Sequence, residues 1–259
     1  MKKGGQLTLL VIAGIVAILL ALIYVLVVSD YNILDIFNED ISDPNLYLES
    51  CLAGDISEIV NSFLENNFYY EEIEENFFLY NDEDESEKVP YLCKVGEFYS
   101  PCINQEPNLP AKLKQDLLDE IIPLAENCWL KMAAAYERNG YVVETDGIEV
   151  DIVSRQENFE IQLEGNMKIT STEETEAFEA FEIQIDSHIF NLASLATEIV
   201  NFESTLCEFD YINWMNTYND IFISRYRAGD QTKIYTLKDR YTDEEIKFAI
   251  KTCVLPAGT

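Results

Sequence analysis

The chain has 259 residues, with 48 acidic side chains, 17 basic ones, a single histidine and a net charge of −31. A field of that sign makes nucleic acid and anionic lipid surfaces poor partners; divalent cations, basic partners or a salty medium suit it better, and its plainest use is a solubilising surface. With 15 Tyr and 14 Phe, the roughly 230 residues beyond the N-terminal stretch can bury a real core, as one domain or two small ones.

The chain opens MKKGGQ and then runs apolar from Leu7 to Val28, interrupted only by Thr8, Gly14 and Tyr24. As a helix, such a run rises roughly 33 Å, enough to cross a bilayer. No Asp, Glu, Lys or Arg falls within it. Lys2 and Lys3 precede it and the next basic residue is Lys88, which puts the N-terminus on the cytoplasmic side and the rest outside. All 48 acidic residues follow Val28. A cleaved secretory signal would have a shorter apolar core and a small-x-small site, and Tyr24 to Ser29 offers none. Ala13, Ala17 and Ala21 recur every four residues beside Gly14. Such a row either reflects the ordinary abundance of small residues in spanning helices or forms a packing seam.

Lys3-Gly4-Gly5-Gln6-Leu7-Thr8-Leu9 resembles the start of archaeal type IV pilin-like precursors, whose class III signal peptide has a short basic leader, a small residue at the cut and Gln as first mature residue. The resemblance implies processing between Gly5 and Gln6 by a prepilin peptidase, with self-assembly through the retained apolar helix. It covers about 25 residues at the start of the chain. The acidic residue of bacterial type IV pilins is missing, with Leu9 and Leu10 in that region. A broader similarity runs through Leu46 to Leu52 (LYLESCL) and Phe248 to Cys253 (FAIKTC). It links the chain to uncharacterised anchored proteins of small-genome archaea and implies no activity.

Residues 29–43 read as an acidic neck, with Ile33, Leu34, Ile36 and Phe37 as its apolar cluster. Asp43-Pro44 then signals a helix start. Leu48, Cys51, Leu52, Ile56, Ile59, Val60, Phe63 and Leu64 mark an apolar stripe. Phe68 to Glu87 is densely acidic; Asn81 to Glu87 lacks the Gly of a calcium loop, Ser86 standing there, and reads as a solvated loop. The preceding aromatics pair as a strand or cover the core. Residues 88–110 read as loop-rich, with Cys93 and Cys102 spaced to close a hairpin-like loop. From Pro110 a long helix is expected to reach Arg138 and stop at Asn139-Gly140. Its stripe is Leu113, Leu117, Ile121, Leu124, Cys128 and Met132, with a kink at Pro123. Cys51 and Cys128 both lie on buried stripes, which favours a bond between the two helices.

From Tyr141 the period becomes that of strands. Asp146-Gly147 and Gly165-Asn166 each read as a hairpin turn between short strands, and Ala177 to Ile185 as a further strand. A helix is expected from Ser187, with His188 in its first turn and structural or exposed. A shorter helix follows Asp210, its Trp214, Met215 and Tyr218 read as core. Ile221 to Arg227, Lys233 to Leu237 and Phe248 to Val254 complete the strands. Cys207 and Cys253 pair by elimination, among the fifteen connectivities open to six cysteines.

The resulting expectation is an α+β protein: a transmembrane helix, then an extracytoplasmic domain of amphipathic helices on an antiparallel sheet. Its parts are a leader (1–5), spanning helix (6–28), neck (29–43), helical and disulfide-containing region (44–140) and sheet region (141–259). No histidine pair, P-loop, dinucleotide turn, G-x-S-x-G or C-x-x-C occurs, so no catalytic residue, cofactor or metal site is expected. Two functions fit. One is a pilin-like anchored surface protein for display, adhesion or assembly; the other is an uncleaved, signal-anchored monomer that binds a cation or basic partner.

Overall fold

The computed structural model describes residues 43–82, 85–155, 158–171 and 174–255. The expected leader with Gly5 and Gln6, the spanning helix with Ala13, Ala17 and Ala21, and the neck as far as residue 42 lie outside the described residues. Among the described residues no helix is long and apolar enough to cross a membrane.

The first helix, α1 (Pro44–Glu65), begins where Asp43 accepts a hydrogen bond from the Asn45 amide at 2.9 Å. Its stripe of Leu48, Leu52, Ile56, Ile59, Val60 and Phe63 is buried. The second, α2 (Leu109–Arg138), continues through Pro123. It ends at Gly140, whose φ of +87° suits a residue without a Cβ. After Pro123 the buried stripe passes through Ala125, Cys128, Trp129 and Met132, with Leu124 only half-buried. Cys51 of α1 is bonded to Cys128 of α2.

Three long strands, β4 (Val142–Ser154), β5 (Phe159–Thr170) and β6 (Thr175–Ile185), make an antiparallel sheet. The two glycine dipeptides expected to be turns are instead bulges within unbroken strands. Asp146 and Gly147 together oppose Asn166, and Gly165 and Asn166 together oppose Glu179. A two-residue hairpin of this kind needs left-handed backbone, and neither Gly147 nor Gly165 has a positive φ. Trp129 holds the site from α2, donating from Nε1 to Thr145 Oγ1 at 2.8 Å and to the Asp146 carbonyl at 3.2 Å. A Cβ on Gly165 would lie 2.7 Å from Ile148 Cγ2 and 3.3 Å from Trp129 Cζ2. Glycine here therefore serves close packing rather than chain reversal.

The second sheet has six strands: β1 (Phe77–Asp82), β2 (Glu85–Lys94), β3 (Ile103–Asn104), β7 (Ile221–Arg227), β8 (Lys233–Asp239) and β9 (Glu245–Lys251). Its order is β1-β2-β9-β8-β7, with β3 also on β2. The sheet is mixed rather than antiparallel throughout, because β2 runs parallel to β9. This pairing also joins the helical and sheet regions into one structure. Part of the run expected to be a solvated acidic loop is hairpin: Tyr80 pairs with Glu87 and Leu79 with Lys88. Its charge is offset locally, Lys88 meeting Glu72 at 3.2 Å and Lys247 meeting Glu87 at 2.7 Å. Likewise 88–94 is strand, not loop, and Cys93 is bonded to Cys102 across to β3.

The edge strands β1 and β7 meet through Tyr80 and Tyr226, whose ring centroids are 5.6 Å apart. Four flat interstrand steps would separate those edges by about 19 Å, so the sheet curls. Val89, Tyr91, Ala228, Ile234 and Ala249 form a small core under Phe78 and Tyr80. The helix α3 (Ile189–Leu206) packs on the other side with β8 and β9, and α1 touches both β6 and β9. The fold is therefore α+β, with helices bridging two sheets.

Candidate functional site

The strand β8 presents Lys233, Tyr235, Leu237 and Asp239 on one face, by the two-residue period of a strand. The antiparallel α3 lies against that face, and a hydrogen-bonded pair of side chains pins it at each end. At the C-terminal end of α3, Glu203 is fully buried and takes Lys233 Nζ at 2.6 Å. It also accepts from the Tyr235 hydroxyl and from the Phe209 amide at 3.2 Å. Lys233 completes its donors on the Cys207 carbonyl at 2.6 Å and Glu208 at 3.1 Å. Burial, then the Glu203 charge, pushes the Tyr235 hydroxyl far above its ordinary pKa. The Cys207–Cys253 disulfide lies beside this cluster. Every polar side-chain atom of Glu203 and Lys233 is matched there, and both residues are almost fully buried. The cluster is structural.

At the N-terminal end of α3, His188 Nδ1 lies 2.7 Å from Asp239 Oδ2. An ionised carboxylate only accepts, so the ring nitrogen donates. Asp239 Oδ1 takes the amides of Tyr241 at 2.8 Å and Thr242 at 3.0 Å. Burial alone would raise the Asp239 pKa; His188 and the two amides outweigh it and hold the carboxyl below its usual range. The backbone amide of His188 donates to Glu244 at 2.7 Å. His188, expected to be structural or exposed, is hydrogen-bonded to Asp239 in a cavity wall.

That cavity has a volume of about 790 Å³. One wall is a stripe of α3, Asn191, Ser194, Leu195 and Glu198, at helical spacing. The second comes from the β4–β5 and β6–α3 connections and the end of β6: Asn158, Gln184 and Asp186. The third holds Trp214 of α4 (Tyr211–Thr217), then Tyr218, Asp220 and Ile221. Asp239, Tyr241 and Thr242 close the floor and rim. Trp214 and Tyr218 lie 4.9 Å apart between ring centroids. Their expected place in the core is corrected here. None of the α4 residues is buried, because this helix of about two turns only covers the edge of β7, where the Ile223 amide meets Met215 Sδ at 3.1 Å. The aromatic pair is left facing the cavity.

Asn158 Oδ1 is buried in this wall without a hydrogen-bond partner. A buried orphan acceptor costs on the order of 1–3 kcal/mol, and this oxygen has almost no accessible surface, so it is closed off from the cavity beside it. Among the described residues no group of three or more His, Cys, Asp or Glu side chains is arranged to hold a metal ion.

Nothing in the sequence singled out Asn158, Asp186, Glu198, Asp220 or Asp239. Acidic residues are spread along most of the chain, and 51 residues separate His188 from Asp239. Comparison with protein-family models, curated proteins and solved structures gave no match.

Proposed function

We propose that the chain is a pilin-like, membrane-anchored cell-surface protein whose acidic domain stands outside the cell, and that the cavity between α3 and α4 is its ligand site. The observation that carries this reading is the set of three disulfides, Cys51–Cys128, Cys93–Cys102 and Cys207–Cys253, with no free cysteine among the described residues. Such bonds persist in oxidising, extracytoplasmic surroundings. The Lys2-Lys3 flank and the apolar run of 6–28 supply the anchor and its orientation. The cavity's mixed aromatic and polar lining suits binding.

The second reading, an uncleaved signal anchor on a monomeric binding protein, is favoured by the neck. Asp30, Asp35, Asp40 and Pro44 interrupt the continuous apolar helix that a filament core favours.

The deciding experiment is the N-terminal residue of protein purified from its own membrane, with added protease applied to intact cells. A start at Gln6 supports pilin-type processing, and digestion of the domain from outside supports the orientation. An intact Met1 or Lys2 moves the reading to the simple anchor. A domain protected until the cells are lysed would overturn surface display.

A further inference from the structure

We propose that the cavity between α3 and α4 takes an organic cation, an alkyl-ammonium or guanidinium group, held between the Trp214–Tyr218 pair and the carboxylates of Asp186, Glu198 and Asp220. This rests on the reading of the cavity as a ligand site and names the ligand's chemistry.

Two independent features converge on a positive group. The first is the aromatic pair on the outer wall, 4.9 Å between centroids, with Trp214 half-buried and Tyr218 exposed. A ring face attracts a cation that has shed part of its water, and tryptophan does so best. The second is the balance of the remaining walls. Asp186, Glu198 and Asp220 all border the cavity, while the one basic side chain bordering it among the described residues, His188, is held by Asp239. An anion would meet three carboxylates at close range, whereas an ammonium or guanidinium would meet acceptors on three sides. Asp186 and Asp220 are oriented by neutral donors, the Gln184 amide at 3.2 Å and the Tyr241 hydroxyl at 3.3 Å.

The buried Glu203–Lys233 pair shows how this fold satisfies a carboxylate it intends to close: with an internal lysine at 2.6 Å. Among the described residues no lysine or arginine borders the cavity. The volume of about 790 Å³ accommodates a small diamine or the end of a basic side chain. Both sources share the same chemistry.

The test uses full-length protein in detergent and the emission of Trp214. The chain has two tryptophans; Trp129, on α2, is buried against the β4–β5 bulge and does not border the cavity. Agmatine and spermidine probe the free-cation source, and a short Gly-Arg-Gly peptide with blocked ends probes the side-chain source. The expected result is a saturable change in emission with at least one of the two, lost in Trp214→Phe and weakened by added salt. Glu198→Gln and Asp220→Asn should each weaken the response on the order of tenfold, with the far-ultraviolet circular dichroism and melting temperature unchanged. Saturation by neutral methyl-glycosides, with no response to cations, would overturn the cation assignment and leave the ligand site standing. No response to any probe at millimolar concentration would overturn both. Cation responses unchanged in both carboxylate variants would place the bound charge elsewhere on the acidic surface and overturn the proposal.

Discussion

The two ends of the α3–β8 interface use the same materials for different ends. At one, Glu203 and Lys233 are sealed from water with every polar atom matched; at the other, His188 and Asp239 form part of the wall of an open cavity that three further carboxylates border, with no lysine or arginine in the lining among the described residues. The difference lies in what covers them. The C-terminal end of α3 is bound to the sheet by the Cys207–Cys253 disulfide and covered by Phe209. Its N-terminal end borders the open cavity, whose outer wall is α4, a helix with no buried residue. Charge alone did not distinguish a site from a structural pair in this acidic protein. Closure and satisfaction did.

The sharpest way to break the comparison is at the sealed end. Lys233→Ala leaves Glu203 buried and uncompensated, and is expected to cost about 3–5 kcal/mol in urea unfolding. A cost under about 1 kcal/mol would mean that water reaches Glu203, and the contrast would fail. Replacing Cys207 and Cys253 by serine frees a loop of 46 residues and is expected to cost about 4 kcal/mol on the chain-entropy model. The same model gives about 3 kcal/mol for the nine-residue separation of Cys93 and Cys102. Melting of the two double variants would test that ranking.

The open end should show itself through pH. Asp239 has its pKa lowered in the folded protein, so its contribution to stability is present above the unfolded value of about 3.9 and is lost as the pH falls through the folded value. Glu208 and Asp230 are lowered as well, against the opposing effect of burial, by Arg225 and Lys233 for the first and by Lys251 and Thr232 for the second. Urea midpoints should therefore hold roughly level from about pH 7 to 5 and fall steeply below about pH 4. Asp239→Asn should cost about 2 kcal/mol at neutral pH and flatten part of that acid decline; an unchanged profile would exclude Asp239 as a contributor. The smallest effects belong to the cavity lining. Glu198→Gln and Tyr218→Ala should each alter stability by no more than about 0.5 kcal/mol, in contrast to Lys233→Ala. Losses of the same size at both ends would make the cavity another structural cluster.

Sequence by itself determined the elements whose signal is local. Asp43-Pro44 marks the start of α1, and the apolar stripe that follows is the buried one, because capping and helical periodicity need only near neighbours. The same periodicity placed Cys51 and Cys128 on stripes that face each other. Tertiary structure decided whatever depended on a distant partner. Asp-Gly and Gly-Asn are turn signals in isolation, yet Trp129 of α2 and the opposing strand make them bulges in long strands. The parallel pairing of β2 with β9 joins segments some 150 residues apart and leaves no local trace. Trp214 and Tyr218 look like core by composition, but a helix only seven residues long, lying on a strand edge, cannot bury them. The cavity belongs to that second class. Asn158, His188, Trp214 and Asp239 become neighbours only when α3 lies along β8, and nothing in the spacing of those four residues anticipates it.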